Sequence, residues 1–265
     1  MEDLEVSKNI LIVESENDKY FIEALLKHLR FLSKLKKLKW FTNKIHLNLL
    51  DHQLNEFLKD SINQSNIEIE NPICSIDDYE CLDGLSDKKL KTKLEELEDI
   101  IFKDEDIAKI GIILDADSVG VEARVEQVNR VLKDIFKLES DLDNINKFVK
   151  DKESKVEFGC YITNIDGKGE LETLLRELTY KDATFANCLE SWQECLERNK
   201  KSIKQKEFDK FWIQIYQRYD CCSNKERKRA GEKCNNRISF KKNIYNFNKD
   251  IKELKSLKSF LRLFN

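Results

Sequence analysis

The chain has 265 residues, of which 37% are Asp, Glu, Lys or Arg and 40% hydrophobic, with one Pro and seven Gly. That length carries one large domain or a domain with an appendage, and so few turn residues argue against an all-β fold and for long charged amphipathic helices. The net charge of −3 hides an asymmetry: residues 181–265 hold 21 Lys+Arg against 11 Asp+Glu, and residues 1–180 hold 26 against 39. This pattern fits an acidic site beside a polyanion-binding surface, or two oppositely biased helical faces packed together.

Met1 to Lys8 is acidic and polar, with no signal-peptide pattern, and no apolar run reaches ~18 residues. The expectation is no membrane association and a cytoplasmic location. Asn9 to Val13 (NILIV) predicts a buried strand that ends in Glu14-Ser15-Glu16-Asn17-Asp18. A helix follows, with Phe21, Ile22, Leu25, Leu26 and Leu29 on one face. Ser15-x-x-Asp18 resembles a capping box, whereas Glu14, right at the strand end, caps nothing obvious.

Residues 30–65 read as a helical insertion with Trp40 and Phe41 as packing anchors. Ile67 to Ile76 carries strand alternation, which Pro72 demotes to an edge or an interrupted strand. A turn at Asp83-Gly84 leads to a helix over Ser86 to Phe102, with Leu90, Leu94, Leu97 and Ile101 on one face. Lys109 to Gly120 (KIGIILDADSVG) gives a second buried strand ending in Asp115-Ala116-Asp117. If strand geometry persists through Asp117, alternation points both acids the same way. A helix with Val121, Val125, Val128, Leu132 and Ile135 follows, and Asp141 to Glu153 reads as a loop. Val156 to Ile162 is a further strand, closed by a turn at Asp166-Gly167. Glu170-Leu171-Glu172 then opens a helix faced by Leu171, Leu174, Leu175 and Leu178.

Strand and helix alternate across residues 9–178, so the fold class expected is α/β: a mainly parallel sheet flanked by helices. This gives a domain at 1–180 and a helical, basic C-terminal region at 181–265 packed on it. In that region Phe208, Phe211, Trp212, Ile215, Tyr216 and Tyr219 form an aromatic stripe that reads as core. The run Lys225-Glu226-Arg227-Lys228-Arg229 reads as surface. The eight cysteines include no CxxC, and His28, His46 and His52 lie far from them in sequence. Reduced thiols, mostly buried as small hydrophobes, are expected rather than zinc or disulfides.

In a parallel sheet the ends of these strands share one edge. Glu14 with Asp18, Asp115 with Asp117, and Asp166 with Glu170 or Glu172 could therefore converge, at a cost in like-charge repulsion that a cation would offset. Carboxylate oxygens suit Mg²⁺ or Mn²⁺, which can activate water against a phosphodiester, and Lys225 or Lys228 could stabilise the developing charge.

ILIVESENDKYFIEALL resembles the first motif of the TOPRIM fold, a strand followed by Glu-Gly-x-x-Asp and a helix. IGIILDADSVG resembles its second, the Asp-x-Asp. CYITNIDGKGELETLL resembles the segment in which Gly-x-Leu-Glu opens a helix. The resemblance covers residues 8–180 and is nearest to the DUF3226 and overcoming-lysogenization-defect (OLD) type of TOPRIM proteins. It implies a metal-dependent nuclease acting on DNA or RNA, in antiphage defence or repair. Glu14 would act as metal ligand or general acid/base, Asp18, Asp115, Asp117 and Glu172 as metal ligands, and Lys225 or Lys228 as the family's basic-tail lysine. Ser15 stands where the motif has Gly, so that turn must form without glycine.

Two other readings remain. A haloacid-dehalogenase-like phosphatase also uses Asp-x-Asp, although on its first strand. A non-catalytic TOPRIM module could work with a separate ATPase, since GxxxxGK[ST] is absent from this sequence. A basic tail helix could equally serve a homo-oligomer.

Overall fold

The computed structural model describes residues 8–45, 76–102, 107–143, 147–242 and 244–264. Its sheet is built from β1 (Lys8–Val13), β2 (Asp78–Cys81), β3 (Ile107–Asp115), β4 (Val149–Lys150) and β5 (Glu157–Thr163), in the spatial order β2-β1-β3-β5-β4. The first four strands in that order are mutually parallel, and β4 closes the edge antiparallel to β5. β1, β3 and β5 read as near-continuous apolar runs because both their faces are covered.

One face carries α2 (Asp87–Ile101) and α3 (Val121–Lys133), whose Leu90, Leu94, Leu97, Val128 and Leu132 pack with Ile10, Ile12, Ile110 and Ile112. The other face carries α1 (Glu16–Ile45) and α4 (Leu171–Glu177), together with the C-terminal helices. Those helices are α5 (Thr184–Arg198), α6 (Gln205–Ile215) with a π turn at Tyr216–Asp220, α7 (Asn224–Arg227), α8 (Ala230–Lys233), α9 (Asn236–Lys241) and α10 (Lys252–Leu261). Phe208, Trp212, Tyr216, Phe240, Leu257 and Phe260 share one apolar cluster with Leu11, Val13, Phe21 and Leu25, so residues from both sides of position 180 build a common core. The chain's end is tied to the central strands. Asn9 Nδ2 donates to the Phe264 carbonyl at 3.0 Å, and Lys109 Nζ to that of Leu263 at 2.5 Å. The Phe264 ring also lies where a Cβ on Gly111 would fall, which is why β3 carries glycine there.

Several expectations change. The first helix extends over 30 residues, so residues 30–45 continue it instead of starting an insertion. Residues 46–65, Pro72 and the side chains of Trp40 and Phe41 lie outside the described residues, as does most of Ile67 to Ile76; the strand described nearby is β2. Asp141 to Glu153 contains β4, held in place by buried Asp151, which accepts from the Lys137 and Ser154 amides at 2.7 Å each. The aromatic stripe splits between two faces of α6: Phe208, Trp212 and Tyr216 are buried, whereas Phe211 and Tyr219 are exposed.

The cysteines also differ from expectation. Cys222 and Cys234 form a disulfide, their Cα atoms 6.3 Å apart, because α7 and α8 fold back on each other as a short hairpin. Among the described free cysteines only Cys160 is buried.

Candidate functional site

Because β1, β2, β3 and β5 run parallel, their carboxyl ends meet at one edge, where open α/β sheets place ligands. Glu14 follows β1 there, and its Oε2 accepts from the Asp115 amide at 3.3 Å. Ser15 caps α1: its amide and hydroxyl donate to Asp18 Oδ2 at 2.9 and 2.7 Å, the capping contact its spacing suggested. Asp18 is nevertheless buried and faces the same acids.

Strand geometry ends at Asp115. Asp117 has φ +50°, a left-handed conformation that Asp tolerates, so simple alternation does not align the two carboxylates. What brings the segments together is a backbone bridge. The Asp117 amide donates to the Gly169 carbonyl at 2.8 Å, and the Gly169 amide returns a bond to Asp117 at 2.9 Å. Gly169 has φ +93°, and a Cβ there would lie 2.9 Å from Thr173 Oγ1. Asp166-Gly167 makes the two-residue turn before it, φ +51° and +85°, leaving Asp166 exposed. The bridge delivers the N-terminus of α4: Leu171 N–H donates to Asp115 Oδ1 at 3.1 Å, and Glu170 and Glu172 join the edge.

Three cations enter this acidic edge. Arg124, in the first turn of α3, donates from Nε to the Asp115 carbonyl at 3.0 Å and from its NH2 group to Asp117 at 2.5 Å. Lys206 on α6 bridges Asp117 at 2.9 Å and Glu170 at 2.7 Å, while Lys210, one turn further on, reaches Glu170 at 3.2 Å. These three residues escaped sequence reasoning. The available signal was the i,i+4 pair Lys206 and Lys210 flanking buried Phe208 on an amphipathic helix. Lys225 and Lys228 sit exposed on and just after α7 and, among the described residues, pair with no acid of the edge.

The electrostatics follow from burial and crowding. Burial, then the neighbouring charges of Asp18, Glu14, Glu172 and Glu170, pushes the Asp115 carboxyl well above the usual range. Burial also raises Asp18, to about 7, despite its Ser15 bonds. Glu14 and Glu172 are raised, mainly by burial. Asp117 is the exception: burial would raise it, but Lys206, Glu170 and Arg124 together hold it below the ordinary value.

Six carboxylates (Glu14, Asp18, Asp115, Asp117, Glu170, Glu172) thus face three cations, which leaves negative charge for a further cation to offset. All their donor atoms are oxygens, the chemistry of a hard divalent ion. Among the described residues no group of three His, Cys, Asp or Glu side chains is gathered closely enough to hold a metal as they stand. Five of the six are turned to partners of their own instead: Glu14 to the Asp115 amide, Asp18 to Ser15, Asp115 to Leu171, Asp117 to Arg124 and Lys206, and Glu170 to Lys206 and Lys210.

The placement of α6 is itself fixed by a buried carboxylate. Asp209, 1% exposed, accepts from Thr173 Oγ1 at 2.8 Å, from Arg176 at 2.5 Å and from Gln205 Nε2 at 2.9 Å. It locks the helix carrying Lys206 and Lys210 to the helix carrying Glu172.

A family model described as "Protein of unknown function (DUF3226)" matches residues 8–265. The chain belongs to that family. The DUF3226 match spans the acidic edge and the C-terminal helices alike, including Lys206 and Lys210. No curated protein and no solved structure matches the chain. Among the described residues no helix is long and apolar enough to cross a membrane.

Proposed function

We propose that this DUF3226 protein is a divalent-metal-dependent nuclease of TOPRIM type that cleaves phosphodiester bonds in DNA or RNA. The observation that carries the reading is the gathering of Glu14, Asp115, Asp117 and Glu172, from separate segments, at the carboxyl edge of a parallel sheet beside Lys206, Lys210 and Arg124. The order of the motifs, their strand context and the β2-β1-β3-β5 parallel core support the TOPRIM assignment.

Glu14, Asp115 and Asp117 would hold Mg²⁺ or Mn²⁺, with Asp18 and Glu172 completing the donor set. A bound ion supplies charge neutralisation at a phosphoryl oxygen and an activated water. Glu14, whose carboxyl is raised by burial, holds a proton more readily than an ordinary glutamate and suits general acid/base work. Lys206 and Lys210, in place of Lys225 and Lys228, stand where anionic charge would develop, and Arg124 orients Asp117.

The test is incubation of the full chain with single-stranded, duplex and supercoiled DNA and with RNA, in Mn²⁺, in Mg²⁺ and in EDTA. Cleavage that needs metal and disappears in Asp115→Asn is expected. Absence of metal-dependent cleavage of every substrate would overturn the reading.

A second reading is a binding module that works with a separate ATPase. The observation favouring it is that Lys206, Lys210 and Arg124 already partner Asp117 and Glu170. Co-purification with an ATPase, without cleavage by the isolated chain, would support it.

A further inference from the structure

The face of α6 opposite the core carries features that the acidic edge does not use. Phe211 is 46% exposed and meets Trp192 of α5 edge-on, ring centroids 6.4 Å apart. Two turns along, Tyr219 is 38% exposed and lies 5.8 Å from the ring of Phe185, which is itself 54% exposed. Neither pair is needed for the core, because Phe208, Trp212 and Tyr216 already supply that side of the helix.

The second pair is fixed and cationic. Asp220 accepts from the Phe185 and Ala186 amides at 2.9 and 3.1 Å, which pins the start of α5 to the π turn. The Arg218 and Arg227 guanidinium groups lie 5.6 and 5.4 Å from the Tyr219 ring centre, and Arg227 also donates to the Tyr219 carbonyl at 3.2 Å. Among the described residues neither arginine pairs with an acid. Glu190, on α5, is engaged by Arg176 at 3.7 Å.

From Lys206, at the acids, to Tyr219 is 13 residues, or about 20 Å of helix. The two aromatic pairs follow one another along the flank of α6 that faces α5, the second flanked by arginines, while Lys206, about 140° round the helix from Phe211, holds the acids on a different side.

We infer that this face binds a single strand of nucleic acid, with bases on Phe211 and Tyr219 and the backbone phosphates on Arg218 and Arg227. Rings stack on any unpaired base, guanidinium groups add cation–π and phosphate attraction, and a duplex keeps its bases stacked on one another and offers neither ring a face. An apolar protein partner would fit the rings but leave without an anion two guanidinium groups that pair with no acid among the described residues, so charge complementarity selects the polyanion. The length of the tract suits a strand of several nucleotides, within the range single-strand grooves accept.

The inference names the substrate class for the proposed nuclease and rests on that reading only for what happens at the acids. Binding is measured by fluorescence anisotropy of the full chain, in EDTA, with a labelled 12-nucleotide thymidine strand, its RNA counterpart and a 12-base-pair duplex. The single strands should bind more tightly than the duplex. Tyr219→Leu and Phe211→Leu, which keep apolar bulk and lose the ring, should each weaken binding roughly 5- to 100-fold. Arg227→Ala should also lower the salt slope by about 0.7.

Unchanged affinity in both leucine variants, equal affinity for the duplex, or a Tyr219-dependent dimer seen by light scattering would overturn the tract. Ring-dependent binding in EDTA without cleavage in Mn²⁺ would overturn the nuclease and leave the tract standing. Metal-dependent cleavage of long single strands that is indifferent to Tyr219→Leu would do the reverse.

Discussion

Replacing Asp209 tests how the basic helix is held against the acidic one. The side chain is buried and accepts three hydrogen bonds, one from a guanidinium. Removing one partner of a buried ion pair costs about 3–5 kcal/mol when the other charge is stranded. Arg176 would not be stranded here: its side chain is 24% exposed, it already lies 3.7 Å from Glu190, and it rests over the rings of Phe208 and Trp212 at 5.2 and 5.1 Å. The expected loss for Asp209→Ala therefore falls below that range, at about 2–3 kcal/mol, the low end of what its three hydrogen bonds contribute. For a chain of this size that is a fall in Tm of about 5–10 °C. Asp209→Asn, which keeps the shape and one acceptor oxygen, should lose about half as much. Thermal denaturation followed by circular dichroism measures both. A fall below about 2 °C for Asp209→Ala would refute the reasoning, because α6 would then be held by its apolar face alone.

Three further outcomes follow from the same structure. Asp18 is raised from 3.8 to about 7 in the folded protein, so as pH rises through that interval the unfolded chain loses a proton that the folded chain keeps, and stability falls. In metal-free protein the stability gained by Asp18→Asn should thus grow from about pH 4 to about pH 7 and then level off; a gain that is flat in pH would contradict the buried, crowded carboxyl. Mn²⁺ should raise the Tm with the logarithm of its concentration, by an amount equivalent to about 2.7 kcal/mol at a hundred times its Kd, and Asp115→Asn should abolish the shift; a shift of equal size in that variant would place the ion elsewhere. Gly111→Ala sets a Cβ 2.3 Å from Phe264 Cζ and 2.9 Å from Leu11 Cδ1, and overpacking of that kind costs about 1–3 kcal/mol. Combining it with Phe264→Ala should be less than additive in urea denaturation, and strict additivity would show that the C-terminal ring does not lie on β3.

The sheet was legible because its central strands are short, apolar on both faces and closed by acids: NILIV and IGIIL need no tertiary information to be recognised. The helix faces of α2 and α3 were legible for the same reason, through their 3.6-residue spacing. The short strand β4 was not, because two residues carry no period and its anchor is a buried Asp151 that looks like a loop residue in sequence. The acids were legible one segment at a time, and the shared edge of a parallel sheet indicated where they could converge, but the alignment of Asp117 with Asp115 was reasoned from strand alternation. It depends in fact on the Asp117–Gly169 backbone bridge, whose only sequence trace is the pair of glycines in GKGELE. The cations were the least legible. Lys225 and Lys228 stand out in a basic run, whereas Lys206 and Lys210 are spread along an amphipathic helix and are selected by the packing of α6 on α4.

The charge asymmetry of the chain admitted two readings, a polyanion surface or two halves neutralising each other, and in the structure part of the basic region neutralises the acidic half and part does not. Lys206 and Lys210 are spent on the acidic edge, while Arg218 and Arg227, beside Tyr219, have no acid partner among the described residues. This division has a consequence for any ion at the edge. Asp117 is held below its ordinary pKa, and the groups that lower it include Lys206 and Arg124. A divalent ion that takes Asp117 must do so against those ammonium and guanidinium groups, and a Lys206 released from Asp117 becomes available to an incoming phosphate. Metal binding and substrate binding should therefore favour one another across Lys206, and each by the same factor, as linkage requires. A Lys206→Met chain separates the two effects: it should bind Mn²⁺ at least as tightly as the parent while losing the enhancement of that affinity by a non-cleavable oligonucleotide. Retained enhancement in the methionine variant would show that the coupling runs through the metal alone.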